Sequence, residues 1–216
     1  MRKSFFTVIV CMLCLLFSFS QNGGYLRGGL FIKTIEYNKL YSNSNYNFNS
    51  KGYVEKRLLD KFNAPIEFYY YPDNEAIDEL ISSFRIFNDS QKKSWVLEFK
   101  YLKKDKNSVY SQSVIEETEV IGYSFQVNAR FAETFHKKMI LLIDKFKAKG
   151  IVSLLEGGDE VTFRTVVEDE VWTLKIHEPV GNALKMSDFC KQIMKDAFAK
   201  NLNQDDYIKV LNSFNF

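Results

Sequence analysis

Hydrophobic and polar residues alternate most regularly between Trp95 and Leu102. Trp95, Leu97, Phe99 and Tyr101 fall on one side, and Val96, Glu98, Lys100 and Leu102 on the other. A period of two predicts a half-buried antiparallel strand. Its partner is Ser83–Phe87, where Phe84 and Ile86 alternate with Arg85 and Phe87; the polar run 88–93 closes the hairpin. Two more strands, 161–167 and 171–177, are joined by the tight Glu168-Asp169-Glu170. Ile66–Tyr71 reads as a strand closed by Pro72-Asp73-Asn74, and 118–127 and 30–41 read as further strands.

Helical spacing is clearest over 129–149. Phe131, Phe135, Met139, Leu142, Ile143 and Phe146 make one stripe, with Asn128 as N-cap and Gly150 as the stop. A second helix is expected over 183–200, with Leu184, Phe189, Ile193 and Ala197 inward. Asn203, with Asp206 three residues on, starts a last short helix. Residues 53–62 predict a short helix ended before Pro65, preceded by an Asn- and Ser-rich loop over 42–50. Strands run together, without regular βαβα alternation, so the fold class is α+β: antiparallel sheet or sheets of hairpins against two or three helices.

The N-terminus follows a different pattern. Arg2 and Lys3 precede an almost wholly apolar run, Phe5–Phe17, and Ser18-Phe19-Ser20 places small residues before Gln21. Residues 1–20 therefore read as a secretory signal peptide, competing with an uncleaved anchor or a lipoprotein leader. The run is short for a span of about 20 residues, so no integral span is expected after cleavage. Residues 21–29, with four glycines, read as a flexible N-terminus. Residues 30–216 then form a single α+β domain, with a candidate subdomain boundary near 104–117.

Composition adjusts this picture in three ways. The 216-residue chain is 46% hydrophobic and 16% aromatic, enough for a core without disulfide or metal. Arg2 and Lys3 account for its formal charge of +2, so the remainder is neutral. Nucleic-acid affinity comes from neutralising phosphates, and a neutral domain is a poor candidate. Of three cysteines only Cys190 lies beyond the leader, which excludes an internal disulfide and a thiolate-rich zinc site.

The segment 161–172, with Ile-His-Glu-Pro at 176–179 and Gly-Asn-Ala-Leu-Lys-Met at 181–186, resembles a stretch of uncharacterised exported bacterial α+β proteins. The resemblance implies export and brings no activity to carry over.

Catalytic motifs are missing. Gly122-Tyr-Ser-Phe-Gln126 breaks the nucleophile-elbow pattern at its last position, and there is no phosphate loop, dinucleotide fingerprint or His-Glu-x-x-His. No catalytic residue, metal ligand or cofactor is therefore assigned. The candidate binding residues are Tyr69, Tyr71, Arg164, Trp172 and His177. Phe68–Tyr71 is the densest aromatic run, and a strand turns half of it away from the core, where Tyr rings suit sugar or protein surfaces; a strand covered on both faces is the other reading. Arg164 sits mid-strand, either binding an anion or pairing with an acid or Trp172. His177 ends a strand on the polar face beside Glu178, where it could act as a base or ligand. Charge clusters in an acidic stretch (156–170) and a lysine-rich one (92–106). The expected function is an exported, non-catalytic binding or interaction protein of the envelope or exterior, its partner a protein or glycan. An exported hydrolase with a carboxylate and histidine site, or a ligand-free envelope structural protein, are the alternatives.

Overall fold

The computed structural model describes residues 31–36, 48–59, 63–72, 80–103, 118–147 and 159–216; side chains of 31–36 and 48–52 fall outside that description. In chain order the elements are β1 (Phe31–Glu36), α1 (Phe48–Leu59), β2 (Ile66–Tyr71), β3 (Ser82–Asp89) and β4 (Ser94–Leu102). They continue as β5 (Val120–Val127), α2 (Ala129–Lys147), β6 (Glu160–Val167), β7 (Glu170–His177), α3 (Gly181–Phe198) and α4 (Gln204–Ser213). The signal-peptide segment, the glycine-rich 21–29, the proposed boundary 104–117 and the stop at Gly150 lie outside the described residues.

The strands form one seven-stranded sheet in the order β1-β7-β6-β2-β3-β4-β5. Every pairing is antiparallel except β1 with β7. The fold is thus α+β. Among the described residues four helices, one more than the upper expectation, pack on it. β4 and β5, on either side of 104–117 in sequence, are direct neighbours.

The pleat sends alternate residues to opposite faces, and the two faces differ in chemistry. One face carries Ile66, Phe68, Phe84, Leu97, Phe99 and Phe163 into the main core, covered by α2, α3 and α4. Phe68 lies between Phe84 and Phe163 with tilted rings, their centroids 5.8 and 5.2 Å away. The α2 stripe falls on this face as its spacing requires, and Asn128 accepts the Phe131 N–H at 2.7 Å. Asn203 likewise accepts from the Asp206 N–H at the start of α4.

Two helix readings are corrected. α1 begins at Phe48, so part of the expected 42–50 loop is helical. Leu184 is 43% exposed, and α3 instead buries Ala183, Met186, Cys190 and Ala197 beside Phe189 and Ile193. Small and sulfur-bearing side chains line much of the buried face of α3, and Leu184 falls outside it. Cys190 is fully buried, and burial pushes its thiol well above the ordinary range. It stays protonated and unreactive at neutral pH.

Candidate functional site

The opposite face of the sheet is largely polar. Across four adjacent strands the register aligns Arg164, Glu67, Arg85 and Glu98 as direct cross-strand neighbours. Alternating charges in one row favour this register, whereas a slip by one residue would drive every charge into the apolar core. Glu67 is fully buried and Arg85 is 2% exposed, so the middle of this charged ladder is buried, while Arg164 and Glu98 at its ends are half-buried. Arg164 Nη1 donates to Glu67 Oε2 at 3.0 Å, and Arg85 pairs closely with Glu98. Lys100 reaches the same Glu98 carboxylate at 3.5 Å.

Helix α1 lies over this row and is tied to it by charge. Glu55 accepts from Arg164 Nη2 at 2.6 Å and meets Lys175 at 3.3 Å. Two turns of backbone chemistry add to the hold: Ser83 Oγ donates to the Leu58 carbonyl at 3.4 Å, and Arg57 to the Thr118 carbonyl at 2.7 Å. Val54, Leu58 and Leu59 fill a small apolar cluster with Tyr69, Ile81 and Leu102.

At the β2, β6 and β7 ends of this face the cluster opens to solvent. Lys175 lies 3.2 Å from Glu160 Oε1, and His177 Nε2 lies 3.3 Å from Glu160 Oε2. The side chains of Lys175 and His177 are 27% and 31% exposed, that of Glu160 4%. Tyr71 is half-buried beside them. Behind this rim, Tyr69 and Thr162 sit opposite one another in the register. Among the described residues, Tyr69 Oη and Thr162 Oγ1 are buried without a hydrogen-bond partner. Buried polar atoms are rarely left so, because each costs about 1–3 kcal/mol.

The electrostatics follow from burial and neighbours. Burial raises the Glu67 carboxyl above its ordinary range, against the opposing pull of Arg164 and the Ala64 N–H. Burial, then the Glu160 and Glu55 carboxylates, push the Tyr69 phenol well above its ordinary value, so it remains a neutral donor. Burial works against the charge on Lys175, yet Glu160 and Glu55 outweigh it and keep the ammonium protonated.

Of the five residues singled out from the sequence, four share this face: Tyr69, Tyr71, Arg164 and His177. Tyr69 is fully buried, which corrects its reading as an exposed aromatic contact; α1 covers the strand there. Arg164 pairs with acids from α1 and β2. Trp172 lies on the other face, half-buried against the main core, with its indole N–H donating to Glu170 at 2.6 Å. Sequence reading missed Glu55, Glu67, Arg85, Glu98 and Glu160. Their signal was present: Glu67, Arg85 and Glu98 are each flanked by two apolar residues that face the core. Among the described residues, no group of three or more His, Cys, Asp or Glu is placed to hold a metal ion, and no helix is long and apolar enough to cross a membrane.

No protein-family model matches the chain, and neither a curated protein nor a solved structure matches it.

Proposed function

We propose that the chain is an exported, non-catalytic binding protein of the envelope or exterior, with a neutral glycan as its partner at the Tyr71–Lys175–His177 rim. The observation that carries this reading is internal charge neutralisation. Lys175 stands between Glu55 and Glu160, at 3.3 and 3.2 Å. A glycosidase-type pair needs one carboxyl held protonated and another available to attack or activate water. Here the same ammonium engages both acids, so neither stands available for that role. Over the whole polar face Arg85, Lys100, Arg164 and Lys175 match Glu55, Glu67, Glu98 and Glu160, so the face draws no net charge toward itself, and its rim offers hydrogen bonds from Lys175 and His177 beside an aromatic ring. Those are the groups that suit a hydroxyl-rich, uncharged partner. The leader pattern of residues 1–20 and the resemblance at 161–186 support export.

Incubation with neutral chito-, cello- and malto-oligosaccharides tests both halves of the binding reading. At least one series is expected to raise the Tm, by mass action on the folded state, while the reducing-end content stays constant. Release of new reducing ends would replace the binding reading with the hydrolase. Protein recovered outside the cytoplasm is expected to begin at Gln21; a cytoplasmic chain retaining Met1 would remove export.

A further inference from the structure

We propose that β5 is a dimerisation strand, which pairs antiparallel with β5 of a second copy about a two-fold axis at Gly122. Among the described residues β5 closes one end of the sheet, and β4 is its neighbour on one side only. The direction of its backbone groups follows from one hydrogen bond and the register. Lys103 N–H donates to the Glu119 carbonyl at 3.0 Å, so odd-numbered residues of β5 turn their backbone groups toward β4. The groups of Val120, Gly122, Ser124 and Gln126 then point outward.

The C-terminal end of that outer edge is already occupied. The Gln204 side-chain amide accepts from the Asn128 N–H at 2.7 Å and donates to the Gln126 carbonyl at 3.3 Å. One carboxamide from α4 thus stands where the peptide group of a neighbouring strand would be. It leaves Val120, Gly122 and Ser124 as the open stretch, and this stretch is symmetric about its glycine. In an antiparallel two-fold pairing Gly122 meets Gly122 of the second copy, and Val120 meets its Ser124. About six inter-chain hydrogen bonds result.

The strand also lacks the usual protection of an edge. Over Val120–Val127 there is no charged residue and no proline, in a chain that is 26% charged. Edge strands that stay single commonly carry such guards. On the helix-covered face Ile121, Tyr123 and Phe125 are half-buried, and Phe198 is 51% exposed against Tyr101 of the next strand. The pairing sets Ile121 against Tyr123 of the second copy, which continues the apolar face across the junction. An isologous contact of this kind closes at two copies.

Sedimentation velocity over a range of concentrations is expected to show a monomer–dimer equilibrium. Ser124→Pro, which removes only an outward N–H, is expected to shift it to monomer. Register is read by disulfide trapping with Cys11 and Cys14 changed to serine. In Gly122→Cys the facing Cα atoms lie about 5.5 Å apart, within the roughly 4.4–6.8 Å of a disulfide. A Cβ at this position meets only the Lys100 Cγ, at 3.5 Å, and the Phe99 carbonyl, at 3.6 Å, both ordinary contacts. Covalent dimer is expected from this variant and not from Ser124→Cys, whose counterparts stand roughly 14 Å apart. A monomer at all concentrations overturns the proposal. So does a dimer that survives Ser124→Pro, or one that traps both cysteine variants equally.

Discussion

Phe135→Ala is expected to lower the unfolding free energy by about 3–5 kcal/mol, the range for deleting a buried aromatic ring. Phe135 is fully buried in the middle of α2. Its ring meets Phe84 of β3 at 6.0 Å, Phe131 one turn earlier at 5.9 Å, and Phe189 of α3 edge-on at 5.3 Å. One side chain therefore joins the sheet to two helices. Those helices cannot collapse into the space without losing their own seats on the sheet, so most of the cavity persists. Urea melts decide the point: a loss below about 1 kcal/mol would mean that α2 is not the central packing element.

Arg164→Met is expected to cost a similar amount, about 3–5 kcal/mol, for a different reason. The guanidinium neutralises Glu67, which has no exposure, and ties Glu55 of α1 to the sheet. Its removal leaves a buried carboxylate with only the more distant Arg85 to oppose its charge. The sign of the pH dependence follows from Glu67. Its folded pKa is raised above the ordinary 4.5, so its contribution to stability is full below the unfolded value and lost as pH rises through the folded value. Without Arg164 that pKa rises further, and the variant is expected to recover part of its loss as pH falls from 8 toward 5. The double change Arg164→Met with Glu67→Leu removes the orphaned charge and is expected to restore most of the stability. A single variant that melts like the wild type at pH 8 would show that the ladder carries no structural weight.

The local parts of this fold were legible because their signals are local. Alternation at 95–102 marked β4, the stripe Phe131–Phe146 marked α2, and Asn128 and Asn203 marked two helix starts. The polar face of 173–177 was also readable, since Trp172, Leu174 and Ile176 alternate with Thr173, Lys175 and His177. The charged ladder was not, because Glu67, Arg85 and Arg164 become neighbours only when β2 is inserted between β3 and β6. That is a long-range pairing with no mark in any one segment. Tyr69 was misread for the same reason: a strand shows which residues share a face, but α1 decides that this face is covered. Leu184 was misread because apolar bulk alone does not place a side chain on the buried face; on α3 that face carries Ala183, Cys190 and Ala197 instead.

The proposed glycan site at the rim of the polar face is tested most directly by following backbone amides in 1H–15N spectra during titration with the oligosaccharide series that raises the Tm. Shifts are expected only at Tyr71, Glu160–Thr162 and Lys175–His177, weakened by His177→Ala and Tyr71→Ala without loss of fold. Shifts at other surfaces that leave these residues unmoved, or binding that both alanine variants retain in full, would contradict it.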